Sequence, residues 1–317
     1  MRLWSLVLIT FMWHGCDVQA VGGKVMSKFD IDRELLPYTS NYLELSNGSR
    51  IHYLDEGEGP TLLLLHGNPT WSFLYRHLIS ELRNEYRLVV PDYPGFGLSS
   101  AVGEYGFTAK EQADSMISFV QQMKLSDVTL MVQDWGGPIG FAIAEAEPDL
   151  IHAIIIGNTW AWPLERNGQK IFSTLMGGWP GQFAAWCCNG VVRFFMSQGV
   201  YKKLSGNELE MYLAPFSQQQ SRTPTHIFPA QLWDSSEFLQ VVNDGLADLA
   251  DLPVLITWGL QDFAFQEPER ERFETIFSDH KTVLLKRAGH FIQEDAPLEI
   301  AEAIREWYPS TIVNQEH

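Results

Sequence analysis

The sequence predicts an α/β fold in which a doubly wound, mostly parallel sheet carries an inserted helical lid (cap). Apolar runs with strand character alternate with helix-like segments from about residue 42 to 156, and the pattern resumes at residue 254. Such alternation is typical of right-handed strand–helix–strand units and therefore of a parallel sheet. From 160 to 239 the alternation stops, and a stretch dense in Trp, Phe and Met follows, which we expect to form the lid.

Each element follows from its local pattern. Thr61-Leu-Leu-Leu-Leu65 is continuously apolar, as buried parallel strands are. Thr108 and Glu111 form a capping box, which predicts a helix start there. Strands are predicted at 42–45, 51–53, 61–65, 86–90, 128–132, 151–156, 254–258 and 282–285, and helices at 73–82, 108–123, 137–146 and 297–307. Residues 27–159 and 240–317 then form the sheet domain and 160–239 the cap, with a ligand cavity expected between them.

The charge balance limits the possible partners. The chain has 317 residues with 39 acidic and 22 basic side chains, a formal net charge of -17. Such an acidic surface argues against nucleic acid and against stable association with an anionic membrane. The adjacent Cys187 and Cys188 rarely pair with each other, so they define no disulfide framework. The oligomeric state is not readable from these features.

The N-terminus has the pattern of a secretory signal. Met1-Arg2 precedes an apolar run at 3–13, and Val18-Gln-Ala20 resembles a cleavage site, which makes residues 1–20 a possible signal peptide. The protein is then exported or periplasmic. The alternative is that translation begins at Met26, in which case the protein is cytoplasmic.

Four motifs fall where predicted strands end, the edge at which open parallel sheets bind ligands. They are His66-Gly-Asn-Pro69, Gln133-Asp-Trp-Gly136, Gly259-Leu-Gln-Asp262 and Ala288-Gly-His290. Alone, each acid could be an ordinary turn residue and the histidine a core residue. Together, Asp134, Asp262 and His290 follow the order nucleophile, acid, histidine of the α/β-hydrolase fold, with an aspartate where many hydrolases carry serine.

From about residue 38 to 307 the sequence resembles the haloalkane dehalogenases. The resemblance lies in the residues 66–76 (HGNPTWSFLYR), 91–99 (PDYPGFGLS), 133–138 (QDWGGP) and 158–163 (NTWAWP). It implies an α/β-hydrolase fold and cleavage of carbon–halogen bonds in a small apolar halogenated substrate, with no cofactor and no metal. The nearby His290, Glu294 and Asp295 suggest a metal site only weakly.

The resemblance also implies a role for each motif residue. Asp134 is the nucleophile, because an ionised carboxylate displaces a halide in line and leaves an alkyl ester. The indole N–H of Trp135 and the side-chain amide of Asn68 hold the halide. His290 activates water to hydrolyse the ester, Asp262 orients His290, and the backbone N–H groups of Asn68 and Trp135 stabilise the oxyanion.

Other activities on this fold remain alternatives. Epoxide hydrolases use the same nucleophile together with acidic phenols in the lid, and the lid contains Tyr201 and Tyr212. Fluoroacetate dehalogenases need arginines just after the nucleophile, and residues 135–141 contain none. A luciferase on the same fold and a non-enzymatic binding protein are further alternatives. Chain length and halogen preference depend on the cavity wall, for which the candidates are Trp160, Trp162, Phe172, Phe194, Phe195 and Pro229.

Overall fold

An eight-stranded sheet forms the centre of the fold. The computed structural model describes residues 29–165 and 167–313, so the possible signal peptide and the alternative start at Met26 lie outside the described residues. The strands lie in the order β1-β2-β4-β3-β5-β6-β7-β8. The β1–β2 and β2–β4 pairs are antiparallel, and the remaining pairs are parallel. They are β1 (Asn41–Glu44), β2 (Arg50–Glu56), β3 (Thr61–Leu65), β4 (Arg87–Pro91), β5 (Val128–Asp134), β6 (Ile151–Thr159), β7 (Val254–Gly259) and β8 (His280–Leu285).

Helices connect the strands and cover both faces of the sheet. Those of the sheet domain are α1 (Arg76–Leu82), α2 (Ala109–Met123), α3 (Gly136–Ala146), α9 (Ser236–Gly245), α10 (Glu267–Ile276), α11 (Ile292–Asp295) and α12 (Pro297–Val313). Between β6 and α9 lie α4 (Asn167–Gly177), α5 (Trp179–Cys188), α6 (Gly190–Gln198), α7 (Gly206–Leu213) and α8 (Thr223–Asp234), which form the lid. Short 3-10 helices occur at Ser72–Tyr75, Ala214–Phe216, Gln220–Arg222 and Leu246–Leu249.

Burial explains why the central strands read as continuous apolar runs. Every residue of β3, β5 and β7 is buried, because helices pack on both faces of these strands. The capping box at the start of α2 is formed in both directions, with Thr108 accepting from the Glu111 amide and Glu111 accepting from the Thr108 amide. These elements bring the ends of β3, β5, β7 and β8 to one edge of the sheet.

The predicted fold class is confirmed, and the differences lie in strand boundaries, such as β2 (Arg50–Glu56 against 51–53), and in individual helices. The C-terminal helix continues to Val313 rather than stopping at 307, and α10 between β7 and β8 was not predicted. Helix α9 packs against α3 of the sheet domain, and the proposed boundary between residues 239 and 240 falls inside it. The contact with α3 is what assigns α9 to the sheet domain.

Two further features concern the cysteines and the length and hydropathy of the helices. Cys187 and Cys188, at the end of α5, are exposed free thiols. Within residues 29–165 and 167–313, no helix combines the length and the hydropathy that crossing a bilayer requires.

Candidate active site

Asp134 lies on a sharp turn between β5 and α3. Its φ is 52°, in the left-handed region that a non-glycine residue rarely adopts, and this raises the side chain above the sheet edge. The turn needs small neighbours. A Cβ on Gly136 would collide with the Leu65 carbonyl, and one on Gly67 would overlap the Asp134 carboxylate. The glycines at 67 and 136 therefore allow the backbones of β3 and β5 to close around the carboxylate.

The structure brings Asp134, His290 and Asp262 together. Nε2 of His290 is 3.5 Å from Oδ2 of Asp134, and Nδ1 of His290 is 2.9 Å from Oδ2 of Asp262. The other Asp262 oxygen accepts the Ala264 amide at 2.7 Å, which fixes the carboxylate in its turn. All three side chains are nearly inaccessible to solvent. The histidine thus lies between two carboxylates, one at each ring nitrogen.

The two carboxylates set the protonation of His290. Burial on its own lowers the pKa of this histidine, but the charge of Asp262 and hydrogen bonds to Asp134 and Asp262 outweigh it. The result is a pKa raised to about 10. The carboxylates at its two ring nitrogens therefore favour the protonated form of His290.

Asn68 and Trp135 place donors beside the Asp134 carboxylate. The backbone N–H of Asn68 donates to Oδ1 of Asp134 at 2.7 Å, and Trp135 is the residue that opens α3. Both side chains line the same cavity as Asp134. Among the described residues, neither the Asn68 amide nitrogen nor the Trp135 indole nitrogen has a protein acceptor, and the Asn68 amide oxygen is also unpaired. Two N–H donors are therefore free to bind a ligand that accepts hydrogen bonds.

Residues without an assigned role in the sequence hold these loops in place. Asn158 donates to the carbonyls of Gly259 at 3.0 Å and Phe265 at 3.3 Å, and it accepts the Gly259 amide at 2.7 Å. Gln133 donates to the His290 carbonyl at 3.0 Å. In the sequence, both are polar residues at the end of an apolar strand, which indicates a special role. Their partners lie more than 100 positions away, so the sequence does not identify them.

The cavity above Asp134 has a volume of about 270 Å³ and an apolar wall. The wall consists of Leu164, Phe172, Phe195, Pro229 and Leu232 from the lid segment and Phe263, Ala264 and Phe265 from the loop after β7. A larger open groove of about 580 Å³, along Asp30 and Arg193, contains none of the motif residues. The cavity above Asp134 suits a small apolar ligand with one polar end directed towards Asp134.

The candidate wall residues divide into two groups. Phe172, Phe195 and Pro229 line the cavity. Trp160 instead packs edge-on against Trp135, with ring centroids 4.7 Å apart, while Trp162 packs against Phe273 at 5.0 Å. Phe194 is 46% exposed. An aromatic residue in the sequence therefore indicates burial or contact but does not give the direction of the ring.

The structure does not support the epoxide hydrolase or metal-site roles considered for the lid tyrosines and for the two acidic residues after His290. Tyr212 donates to Glu294, and burial together with that carboxylate raises its pKa well above the usual value, so it is a poor acid. Tyr201 is 51% exposed, and neither tyrosine lines the cavity. Glu294 pairs with Arg76, while Asp295 accepts backbone N–H groups, so neither carboxylate faces His290 as a metal ligand would.

Comparisons with known proteins agree with this geometry. Residues 60–297 match the family model described as the alpha/beta hydrolase fold. Haloalkane dehalogenase 2 of Mycobacterium tuberculosis is 40% identical over 280 residues, which cover 88% of this chain and 98% of the relative. A cis-3-alkyl-4-alkyloxetan-2-one decarboxylase of Shewanella oneidensis is 32% identical over 299 residues, covering 87% of this chain and 90% of the relative.

Solved structures share the fold. The crystal structure of a haloalkane dehalogenase from Bradyrhizobium elkani superposes with a TM-score of 0.80 at 22% identity, covering 87% of this chain and 99% of that one. At this identity the likeness shows the α/β-hydrolase architecture, and the dehalogenase relative at 40% identity adds the family. The chain therefore belongs to the haloalkane dehalogenase family of α/β-hydrolase-fold enzymes.

Proposed function

We propose that this enzyme hydrolyses haloalkanes to an alcohol, a halide ion and a proton, through a covalent ester on Asp134. The observation that carries the proposal is that a carboxylate, a histidine and two unpaired N–H donors face one apolar cavity. An apolar wall accepts the alkyl chain. The donors of Asn68 and Trp135 suit a leaving group that departs as an anion and cannot usefully be protonated.

In the first step an oxygen of Asp134 attacks the carbon that bears the halogen. The carbon–oxygen bond forms as the carbon–halogen bond breaks, and the electron pair leaves with the halide. The side-chain N–H groups of Asn68 and Trp135 donate to the halide as its charge develops. No proton moves in this step, so it does not need a base.

In the second step water attacks the ester carbonyl of Asp134. His290 takes the proton from water, and Asp262 stabilises the imidazolium that results. The oxyanion accepts from the backbone N–H of Asn68, which already binds Oδ1, and from that of Trp135. When the ester bond breaks, His290 returns its proton to the departing alkoxide, which leaves as the alcohol. One oxygen from water stays in the carboxyl group, which loses its remaining proton to solvent and is again a carboxylate.

A panel of brominated and chlorinated alkanes tests the reaction itself. We expect halide and proton to be released in equal amounts by the wild type and neither by Asp134→Ala. Styrene oxide in the same panel tests the epoxide hydrolase alternative. Diol formation without halide release would overturn the proposal.

A second candidate function comes from the decarboxylase relatives at 31–32% identity. Their names specify a cis-3-alkyl-4-alkyloxetan-2-one, a strained lactone that a carboxylate nucleophile can also open. The panel therefore includes such a lactone. Carbon dioxide release from the lactone, with no halide released from any alkane, would assign this chain to decarboxylation instead.

The His290→Phe variant tests whether His290 is needed only in the second step. Because attack by Asp134 needs no base, the variant should form the ester and stop. Mass spectrometry after incubation with 1-bromobutane is expected to show one butyl group, on the peptide that contains Asp134. Normal turnover, or no adduct in a folded variant, would contradict the roles proposed for both residues.

A further inference from the structure

The lid has an apolar face that no other part of the described chain covers. Trp179, Phe183 and Trp186 lie at spacings of four and three residues along α5, which places them on one side of the helix. They are 75%, 52% and 58% exposed, and the rings of Trp179 and Phe183 stack on each other with centroids 5.7 Å apart. Single exposed aromatic residues are common, but a contiguous row of three is not.

The neighbouring helix extends this surface. Helix α4 packs against α5, and Ile171 and Leu175, four residues apart, are 61% and 53% exposed. We call these five side chains (Ile171, Leu175, Trp179, Phe183 and Trp186) the lid face. Such a surface, kept exposed to water, marks a site of association with a protein or a membrane.

The charge of this segment is opposite to that of the rest of the chain. Residues 166–207 contain five basic side chains and no Asp or Glu, whereas the remainder holds all 39 acidic side chains against 17 of the 22 basic ones. Lys170 adjoins Ile171 in the sequence, and Arg222 donates to the Trp186 carbonyl at 2.7 Å. Positive charge thus flanks the lid face at α4 and at the end of α5.

We propose that the lid face binds reversibly to the surface of a lipid bilayer that contains anionic headgroups. Tryptophan rings favour the boundary between headgroups and acyl chains, and basic side chains near them attract anionic lipid. The net charge of -17 argues against such a partner only when it is averaged over the whole chain. Helices α4 and α5, which carry the lid face, contain Lys170 and no acidic side chain that an anionic headgroup would repel.

A second copy of this chain is the other possible occupant. In a symmetric dimer the same patch meets itself, so the basic side chains that flank one lid face would approach those of its partner. The 166–207 segment offers no carboxylate to neutralise them. A bilayer with anionic headgroups supplies the missing negative charge, and for this reason we favour it.

The position of the lid face gives such binding a consequence, which rests on the proposed function. Phe172, next to Ile171 in α4, lines the cavity above Asp134. Small haloalkanes dissolve preferentially in the apolar part of a bilayer, so a lid docked there would take substrate from the lipid phase. Binding to the bilayer itself does not depend on the reaction.

Vesicle sedimentation tests the proposal with the full chain. Phosphatidylcholine vesicles with and without phosphatidylglycerol are compared, using the wild type, Trp179→Ser/Phe183→Ser and a control. The control, Val241→Ser/Leu298→Ser, removes two apolar side chains elsewhere that are each 56% exposed. We expect the wild type and the control to bind vesicles containing phosphatidylglycerol, and the lid-face variant to bind at least about tenfold more weakly. Turnover of a water-soluble bromoalkane should be the same in all three, because neither Trp179 nor Phe183 lines the cavity.

Two outcomes would overturn the proposal. In the first, the wild type does not bind vesicles. In the second, the lid-face variant binds as well as the wild type, which would place the contact elsewhere in the chain. If vesicle binding is absent, size-exclusion chromatography with light scattering shows whether the wild type is a dimer that the same variant converts to monomer. That result would assign the lid face to self-association. Unchanged turnover alongside lost vesicle binding separates this test from that of the proposed reaction.

Discussion

At the residue scale, the charge around His290 changes during the proposed reaction. In the free enzyme two carboxylates hold the pKa of His290 at about 10, which is unsuitable for a base at neutral pH. Once Asp134 is an ester, it has lost its negative charge, and Nε2 of His290 has lost that ionic partner. The pKa of His290 then falls, with only Asp262 left to raise it. His290 can then release its proton to solvent, and the neutral ring is a base at the step that requires one.

The titration of His290 tests this account. In NMR spectra of the free enzyme, the His290 ring should titrate near pH 10, and in Asp134→Ala it should titrate at clearly lower pH. Since the pKa is raised by folding, the stabilisation is complete below the unfolded value, about 6.5, and is lost as pH rises through about 10. The free energy of unfolding should therefore fall over this range in the wild type and less so in His290→Phe. A His290 pKa that does not change in Asp134→Ala would contradict the account.

The proposed halide donors, Asn68 and Trp135, are the second feature at this scale, and their removal should slow the first step. We expect Asn68→Ala and Trp135→Phe each to reduce the rate of carbon–halogen cleavage by about 10²–10³, the usual cost of losing one such donor. Trp160→Phe is the matched control, because its buried indole N–H is also unpaired but Trp160 does not line the cavity. Single-turnover kinetics and bromide quenching of fluorescence measure the effect. Equal losses in Trp160→Phe would show that packing, rather than hydrogen bonding, is responsible.

At the element scale, the short helix α11 links the lid to the loop that carries His290. Asp295 accepts the amides of Tyr201 and Lys202, between α6 and α7, at 2.7 and 2.8 Å, and also that of Gly289 at 2.8 Å. One residue earlier, Glu294 accepts hydrogen bonds from Arg76, which also donates to Glu208 of α7 at 2.9 Å. The position of the lid and the position of His290 are therefore set by the same pair of carboxylates.

Asp295→Asn should impair the step that depends on His290 more than it impairs the attack by Asp134. An amide keeps one acceptor oxygen and turns an NH₂ group towards a backbone N–H, so at least one of the three hydrogen bonds is lost. We expect ester hydrolysis to slow by about tenfold or more, since small displacements of a positioned group are costly, while carbon–halogen cleavage changes little. Stopped-flow measurement of both steps decides it. Asp32→Asn, which alters a carboxylate that accepts the Glu34 amide at the surface, is the control and should leave both steps unchanged.

An equal slowing of both steps by Asp295→Asn would contradict this positioning role. It would indicate a general loss of structure, which a lowered melting temperature would accompany. Slowing of the His290-dependent step alone is not expected from a residue that only stabilises the fold.

At the scale of the whole molecule, the sequence predicts the strands and helices that have a periodic apolar pattern. It does not predict contacts that form when the lid packs on the sheet. The buried strand at Thr61–Leu65 is read correctly because its apolar run reflects burial on both faces. The edge at which Asp134 and His290 meet follows from parallel topology alone. By contrast, the place of Phe263 in the cavity wall and the contact of Asp295 with lid amides arise only when the lid packs on the sheet. No local pattern encodes the direction in which a lid helix faces.

The net charge and the proposed halide site together predict how salts affect stability. With a formal charge of -17, repulsion across the surface destabilises the folded state, and any sodium salt that screens it should raise the melting temperature. Bromide should raise it further than acetate at equal ionic strength, because bromide also binds the folded site. At ten times its dissociation constant this adds about 1.4 kcal/mol.

Differential scanning calorimetry in matched sodium acetate and sodium bromide measures both effects. For domains of about 150–250 residues, about 1 kcal/mol corresponds to about 2–4 °C, so the bromide increment should be a few degrees at most. In Trp135→Phe the rise with acetate should persist, because screening acts on the surface, while the bromide increment should shrink because the indole donor is missing. A bromide increment of the same size in Trp135→Phe would mean that bromide acts away from this site. A melting temperature that falls with acetate would mean that surface ion pairs outweigh the repulsion expected from the net charge.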